Sequence, residues 1–174
     1  MERIFIGVAW PYANGSLHLG TLAGALLPGD IFGRYQRMKG NEVLMVSGSD
    51  EHGTPITITA EKEGISPQEV VDRYHAEHVQ NLKDFGIQFE NFSRTTGDFH
   101  KKVVREFIRT LHKNGYIYPR KVTAFYCEHC NRFLPDRYVE GTCSHCGGKA
   151  RGDQCDECGR TLDADEILEP RCKI

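Results

Sequence analysis

The spacing of apolar residues changes along the chain, and each change marks an element. Arg3 to Ala9 is a short, nearly continuous apolar run, the pattern of a strand buried on both faces. Trp10 to Leu17 interrupts it with the turn residues Pro11, Asn14 and Gly15. From His18 to Lys39 the spacing is helical, with Leu19, Leu22, Ala23, Leu26 and Leu27 on one side. Pro28-Gly29 predicts a kink or a break within that helix. Gly40-Asn41 stops it, and Val43 to Ser47 is a second buried-type strand. Ser66-Pro67-Gln68-Glu69 is a helix start, with serine as N-cap, proline at the first position and glutamate closing a capping box. The stripe that follows is Val70, Val71, Tyr74, His78, Leu82 and Phe85, and Gly86 suits the C-terminal cap. A further helix over Asp98 to Asn114 carries Phe99, Val103, Val104, Phe107, Ile108 and Leu111, and Gly115 ends it.

Strands alternating with helices predict an α/β, Rossmann-like fold whose parallel sheet is covered on both faces. Ligands of such sheets bind at the carboxyl ends of strands, near the switch in strand order. The loops after Ala9 and after Ser47 are therefore the first candidate sites.

Composition divides the chain near residue 117, because all seven cysteines lie beyond it. This predicts a first domain over 1–116 and a second over 117–174. A net charge of −2 provides no global basic field for non-specific nucleic-acid or membrane binding. No apolar run approaches the ~18 residues of a membrane span, and Met-Glu-Arg leads straight into a strand, without the look of a signal peptide. Six of the seven cysteines sit in close pairs, which favours metal thiolates in a reducing compartment over disulfides.

Neither G-x-G-x-x-G nor a Walker A segment occurs. The first loop instead reads Pro11-Tyr12-Ala13-Asn14-Gly15-Ser16-Leu17-His18-Leu19-Gly20-Thr21. His18 stands at a helix N-terminus, where free N–H groups and the dipole favour an anion, and an imidazole there can donate to a phosphate oxygen. Gly20 lets a flat base or ribose approach the backbone. Alone, H-x-G is more often a capping histidine and a packing glycine; its position after a buried strand reverses the balance. The second loop is Ser47-Gly48-Ser49-Asp50-Glu51-His52-Gly53-Thr54-Pro55-Ile56. Asp50 offers a carboxylate suited to an ammonium group, or else simply caps a helix.

Cys127-x2-Cys130, Cys143-x2-Cys146 and Cys155-x2-Cys158 are three knuckle pairs, and Cys172 stands alone. Paired thiolates at this spacing supply half of a tetrahedral S4 zinc site. A repeat runs through the segment: Cys127-Glu-His-Cys130-Asn-Arg132-Phe-Leu134 aligns with Cys155-Asp-Glu-Cys158-Gly-Arg160-Thr-Leu162, Val139 matches Ile167, and Cys143 matches Cys172. It predicts an eighth cysteine directly after Ile174. Spacing leaves open whether the first pair joins the second or the second joins the third. His129 and His145, inside the knuckles, are expected to face solvent.

Ala9 to Gly20 resembles the signature loop of class I aminoacyl-tRNA synthetases in its methionine-specific form, and Asp50 to Pro55 and Phe133 to Cys143 resemble two further segments of the methionyl-tRNA synthetase family, in the same order. The resemblance covers essentially the whole chain. It implies the first half of a class I catalytic domain, with a zinc-knuckle insertion that positions the acceptor end of tRNA(Met). It implies activation of methionine by ATP with Mg2+, then transfer to tRNA, in the cytoplasm. Asn14, Gly15, His18, Gly20 and Thr21 would bind ATP, with His18 and Thr21 stabilising the α-phosphate. The family's last motif residue is usually histidine; Thr21 can donate a hydrogen bond but carries no charge. Trp10, Tyr12 and Asp50 would bind methionine, Asp50 through its amino group. Family members with a single site often keep the middle four cysteines, which implies structural Zn2+ on Cys143, Cys146, Cys155 and Cys158, and a second, incomplete site on Cys127, Cys130 and Cys172. A Lys-Met-Ser-Lys-Ser loop, the family's second catalytic motif, is absent, so the segment alone is expected to be inactive in aminoacylation. Two other readings are another H-x-G nucleotidyltransferase, and a non-catalytic zinc module contacting RNA or protein.

Overall fold

In the computed structural model, which describes residues 1–174, strands β1 (Arg3–Gly7), β2 (Glu42–Ser49) and β3 (Asn91–Arg94) pair in parallel in the order β1-β2-β3. Ile6 lies opposite Met45, and Ser49 opposite Arg94. They belong to the first of two units, Met1–Tyr116, the second being Ile117–Ile174. The helices of the first unit are α1 (Leu19–Thr21), α2 (Leu27–Met38), α3 (Thr54–Glu63), α4 (Pro67–Asp84) and α5 (Asp98–Lys113).

Between α1 and α2, Leu22–Leu26 forms a π-helical turn, so the chain stays helical through Pro28. The expected break does not occur. Proline lacks an N–H and collides with the preceding turn of an α-helix; the wider turn takes up that mismatch and leaves Pro28 in the first turn of α2. Gly29 matters here for space, since a Cβ would stand 2.6 Å from Val8 Cγ2. Leu22 and Leu26 are buried, whereas Leu19 is 79% exposed and leaves the predicted stripe. With Val8, Met45, Leu82 and Ile87 they form one core cluster. Full burial of each such aliphatic side chain contributes about 1.5–3 kcal/mol. Ala13, Ile56, Ala60, Val70 and Val71 form a second cluster, which fixes the first loop against α3 and α4.

The capping box of α4 is present: Glu69 N–H donates to Ser66 Oγ (3.2 Å), and Ser66 N–H donates back to Glu69 Oε2 (2.8 Å). Coverage of the sheet on both faces is not observed. Ile6, Val43 and Met45 pack into the core, while Phe5 and its register partner Leu44 are 68% and 49% exposed on the opposite face. Strand side chains alternate between faces, and helices of this chain bury only one. Phe85 at the end of α4 is also exposed. The stripe of α5 exists, yet Phe99, Val103, Val104, Phe107 and Ile108 are all exposed and no residue of the helix is fully buried. Amphipathic spacing fixes a face, not what covers it.

The second unit holds a hairpin of β4 (Tyr126–Cys127) and β5 (Arg132–Phe133), and a sheet in the order β8-β7-β6-β9. Its strands are β6 (Val139–Cys143), β7 (Lys149–Arg151), β8 (Gln154–Cys155) and β9 (Ile167–Cys172). The sequence repeat is a structural repeat. Leu134 N–H donates to Phe125 O as Leu162 N–H does to Asp153 O, each at 2.8 Å. Short 3-10 turns, Asp136–Tyr138 and Ala164–Glu166, precede β6 and β9 in turn. These equivalent strands pair antiparallel, Val139 opposite Cys172 and Cys143 opposite Ile167, so a pseudo-two-fold axis runs between them.

Candidate functional site

The two loops leave adjacent parallel strands at the same edge and are stitched together by main chain. Val8 N–H donates to Val46 O (3.0 Å), Asp50 N–H to Pro11 O (2.9 Å), and Ala13 N–H to Asp50 O (2.8 Å). Tyr12 and Asp50 form a parallel bridge beyond the strands. Trp10, Tyr12 and Asp50 are thus brought to one rim, each partly exposed. The Tyr12 hydroxyl donates to His52 O (2.6 Å), which ties the second loop to the first.

The Trp10 ring lies against Gly48, where an added Cβ would stand 2.6 Å from both Trp10 Cζ3 and the Ser93 carbonyl oxygen. Neither a main-chain oxygen nor an indole can yield that distance cheaply. Gly48→Ala is expected to displace Trp10 and destabilise the unit by about 1–3 kcal/mol, the usual range for overpacking. Trp10 is the only tryptophan, so denaturant titration followed by its fluorescence reads both effects. An unchanged spectrum and midpoint would contradict the expectation.

His18 caps α1: Thr21 N–H donates to its Nδ1 (3.1 Å), and Thr21 Oγ1 stands 3.1 Å from its Nε2. Thr21 therefore steadies the ring. Gly20 serves the same purpose, because a Cβ there would lie 3.0 Å from His18 Nδ1. His18 itself is exposed, and Asn14, Gly15 and Thr21 are half-buried. The turn at Asn14-Gly15 is held from α4, where His78, fully buried, has Nε2 3.0 Å from Gly15 O.

In the second unit, one ligand atom from each of Cys143, Cys146, Cys155 and Cys158 lies within 4.8 Å of the others, and so do those of Cys127, Cys130 and Cys172. The two-fold relation explains the grouping: each knuckle meets the arm of the other repeat, not its own. Zinc–thiolate bonds of about 2.3 Å put tetrahedral sulfurs about 3.8 Å apart. The Cys146–Cys155 and Cys130–Cys172 sulfurs are 3.5 and 3.8 Å apart. Cys158 and Glu157 N–H groups point at the Cys155 sulfur and draw its pKa down to about 7. Although the Gly148 N–H works the other way, the neighbouring thiols push Cys146 up to about 12. Crowded sulfurs that resist joint ionisation are those a dication stabilises, so both clusters fit zinc. His145 lies away from the sulfurs' task, with Nε2 2.9 Å from Glu166 and Nδ1 3.1 Å from Arg160.

Residues 4–174 match the family described as tRNA synthetases class I (M). The chain is 53% identical over 174 residues to the methionine–tRNA ligase of Thermomicrobium roseum, covering 99% of this chain and 30% of that protein. It is 58% identical over 171 residues to that of Dehalococcoides mccartyi, covering 98% and 31%. This chain belongs to the class I tRNA synthetases of the methionine type. It spans about 30% of the length of these curated relatives. A solved Mycobacterium tuberculosis methionyl-tRNA synthetase, in complex with methionyl-adenylate, superposes with a TM-score of 0.71 at 22% identity over 92% of this chain and 30% of its own, a likeness in fold. No helix is long and apolar enough to cross a membrane.

Glu51 stands between the motif residues Asp50 and His52 of this synthetase chain, and its side chain is fully buried. Glu51 Oε1 accepts from Arg94 Nε (2.7 Å), Oε2 accepts from the Thr96 hydroxyl, and the Glu51 N–H donates to Thr95 Oγ1 (2.8 Å). The other arm of Arg94 donates to Asp72 (2.6 Å), whose carboxyl is held below its usual range by Arg94 and Gln68. His75 Nδ1 is 2.8 Å from Ser49 Oγ and 3.8 Å from Glu51. Burial, then the Arg94 charge, pushes the His75 pKa down, with Glu51 opposing. Serine, histidine and glutamate here are no charge-relay triad, because one ring nitrogen faces both partners and Ser49 is wholly buried. Ser49 and Glu51 flank Asp50, and their burial, which no residue pattern announces, is what marks them.

Proposed function

We propose that this chain is part of a methionine–tRNA ligase, in which residues 1–116 form the methionine- and nucleotide-binding half of the catalytic domain and residues 117–174 a zinc-stabilised connective insertion. The enzyme joins methionine to ATP, accompanied by Mg2+, as methionyl-adenylate and pyrophosphate, then transfers the methionyl group to the acceptor end of tRNA(Met) in the cytoplasm. The observation that carries this reading is the double main-chain stitch between Pro11–Ala13 and Asp50, which brings Trp10 and Tyr12 of the first loop to one rim with a carboxylate suited to an ammonium group.

The residues then divide the work. Asp50 accepts from the amino group of methionine, and Trp10 and Tyr12 enclose its thioether, for which aromatic edges are favourable partners. Asn14, Gly15 and Gly20 line the approach of ATP, and His18, steadied by Thr21, donates to the α-phosphate as charge builds there. Attack by the methionine carboxylate on phosphorus needs alignment and charge stabilisation and no side-chain nucleophile. Zinc on Cys143, Cys146, Cys155 and Cys158 would be structural, since four thiolates leave no open position for a reactive water. Cys127, Cys130 and Cys172 would contribute three ligands to a second ion.

Titration calorimetry of methionine into the 174-residue chain tests the reading. Asp50→Asn removes a charge-assisted hydrogen bond worth about 1.5–3 kcal/mol, so affinity should fall about 10- to 100-fold. Equal affinity in wild type and variant would remove Asp50 from the site. Binding of ATP without any for methionine would favour a nucleotidyltransferase of other specificity.

A further inference from the structure

Asp50 is a short side chain on a loop, and a loop carboxylate holds an ammonium group well only if its backbone is held in one orientation. One side of that backbone is fixed by the bonds to Pro11 and Ala13. The other side continues directly into Glu51. A fully buried carboxylate is an unusual choice at a loop apex, because burying a charge is unfavourable unless it is paired and hydrogen-bonded. Ion pairs of this kind seldom outdo apolar packing in stability; their attested use is to select one arrangement. Glu51 is bonded at both oxygens and at its own N–H, by Arg94, Thr96 and Thr95. Those partners are themselves fixed. Arg94 ends β3, opposite Ser49, and its far arm is tied to Asp72 on α4. Thr95 N–H donates to Ser49 O (3.2 Å) and Thr95 O stands 3.2 Å from His52 Nε2. Every residue around Asp50, from Ser49 to His52, is therefore anchored to the segment that follows β3, while the Asp50 carboxylate receives only a long contact from His52 N–H (3.5 Å).

We infer that Glu51 is a positioning residue for substrate recognition: clamped by Arg94 and Thr96, it sets the direction of the neighbouring Asp50 carboxylate towards the amino group of the bound amino acid. The inference rests on the proposed role of Asp50. It assigns Glu51 no contact with substrate. A residue that merely supports the fold would alter all ligands of the rim alike; a residue that aims Asp50 alters only those carrying an amino group.

The experiment compares two ligands, methionine and its deaminated analogue methylthiobutanoate, by calorimetry on the 174-residue chain and on Glu51→Gln, Thr96→Val and Asp50→Asn, each with its thermal midpoint recorded. Glu51→Gln keeps shape and removes charge; Thr96→Val removes one anchor and keeps Glu51. The expected result is an about tenfold loss of methionine affinity in both variants, with the affinity for methylthiobutanoate unchanged within about twofold, a selectivity that alignment of a single group produces. The inference is overturned if both ligands weaken together, or if neither changes while Asp50→Asn still loses methionine. Should Glu51→Gln fail to fold, the same comparison on Thr96→Val decides. If Asp50→Asn binds methionine as the wild type does, the role of Asp50 itself falls, an outcome distinct from failure at Glu51 alone.

Discussion

Removing metal with a chelator at neutral pH should unfold residues 117–174 and leave residues 1–116 folded. The apolar interior of the second unit is small: Cys143, Ala150, Cys155, Leu162 and Ile167, with Phe125 packed against it. Two of these five are candidate metal ligands. Without the metal, their sulfurs contribute little burial and crowd one another. Structural zinc supplies about 10–16 kcal/mol in small domains, against a total stability of about 5–15 kcal/mol for an ordinary protein. The first unit has two clusters of aliphatic side chains from sheet, loop and helices to hold it. Amide hydrogen exchange read by mass spectrometry separates the two. Protection should vanish over 117–174 and persist in β2 and α4. Retained protection of β6 and β9 in metal-free protein would contradict this. The repeat adds a graded expectation: Cys143→Ser should unfold the unit more completely than Cys130→Ser, because Cys143 is buried in the shared core and Cys130 is only half-buried.

In a complete enzyme carrying this chain, His18→Ala should slow methionyl-adenylate formation about 10²- to 10³-fold, the scale for loss of one preorganised donor to developing negative charge. His18 is exposed and its ring is held by Thr21 and given room by Gly20, so the change removes a poised group with little effect on folding. The loss should fall on the rate of adenylation more than on the affinity for methionine, because the proposed methionine contacts are Trp10, Tyr12 and Asp50, not His18. Pre-steady-state pyrophosphate release measures it. A rate within a few-fold of the wild type would exclude His18 from the transition state. Thr21→Ala should follow in the same direction with a smaller effect, by loosening the ring.

Local chemistry is legible in the sequence itself. The capping box at Ser66 and Glu69, the stops at Gly40, Gly86 and Gly115, and the Cys-x2-Cys pairs each depend on residues a few positions apart, and each is present. Pro28 does not break the helix because a π-helical turn two residues earlier relieves the strain that proline brings, and no residue pattern announces such a turn. The apolar stripes of β1 and α5 differ from expectation in another way: Phe5, Phe99 and Phe107 are apolar, yet nothing in this chain covers them.

Family membership, the order of strands and helices, and the residue types at both loops follow from the linear chain, because periodicity and short motifs are local properties. Three-dimensional folding alone decides that Pro11 and Ala13 clasp Asp50, that each cysteine knuckle closes on the opposite repeat, and that Arg94 reaches Glu51 across a separation of 43 residues. Partners so far apart in sequence are chosen by parallel strand pairing and by the antiparallel register of β6 with β9, and register is set by the packing of whole elements.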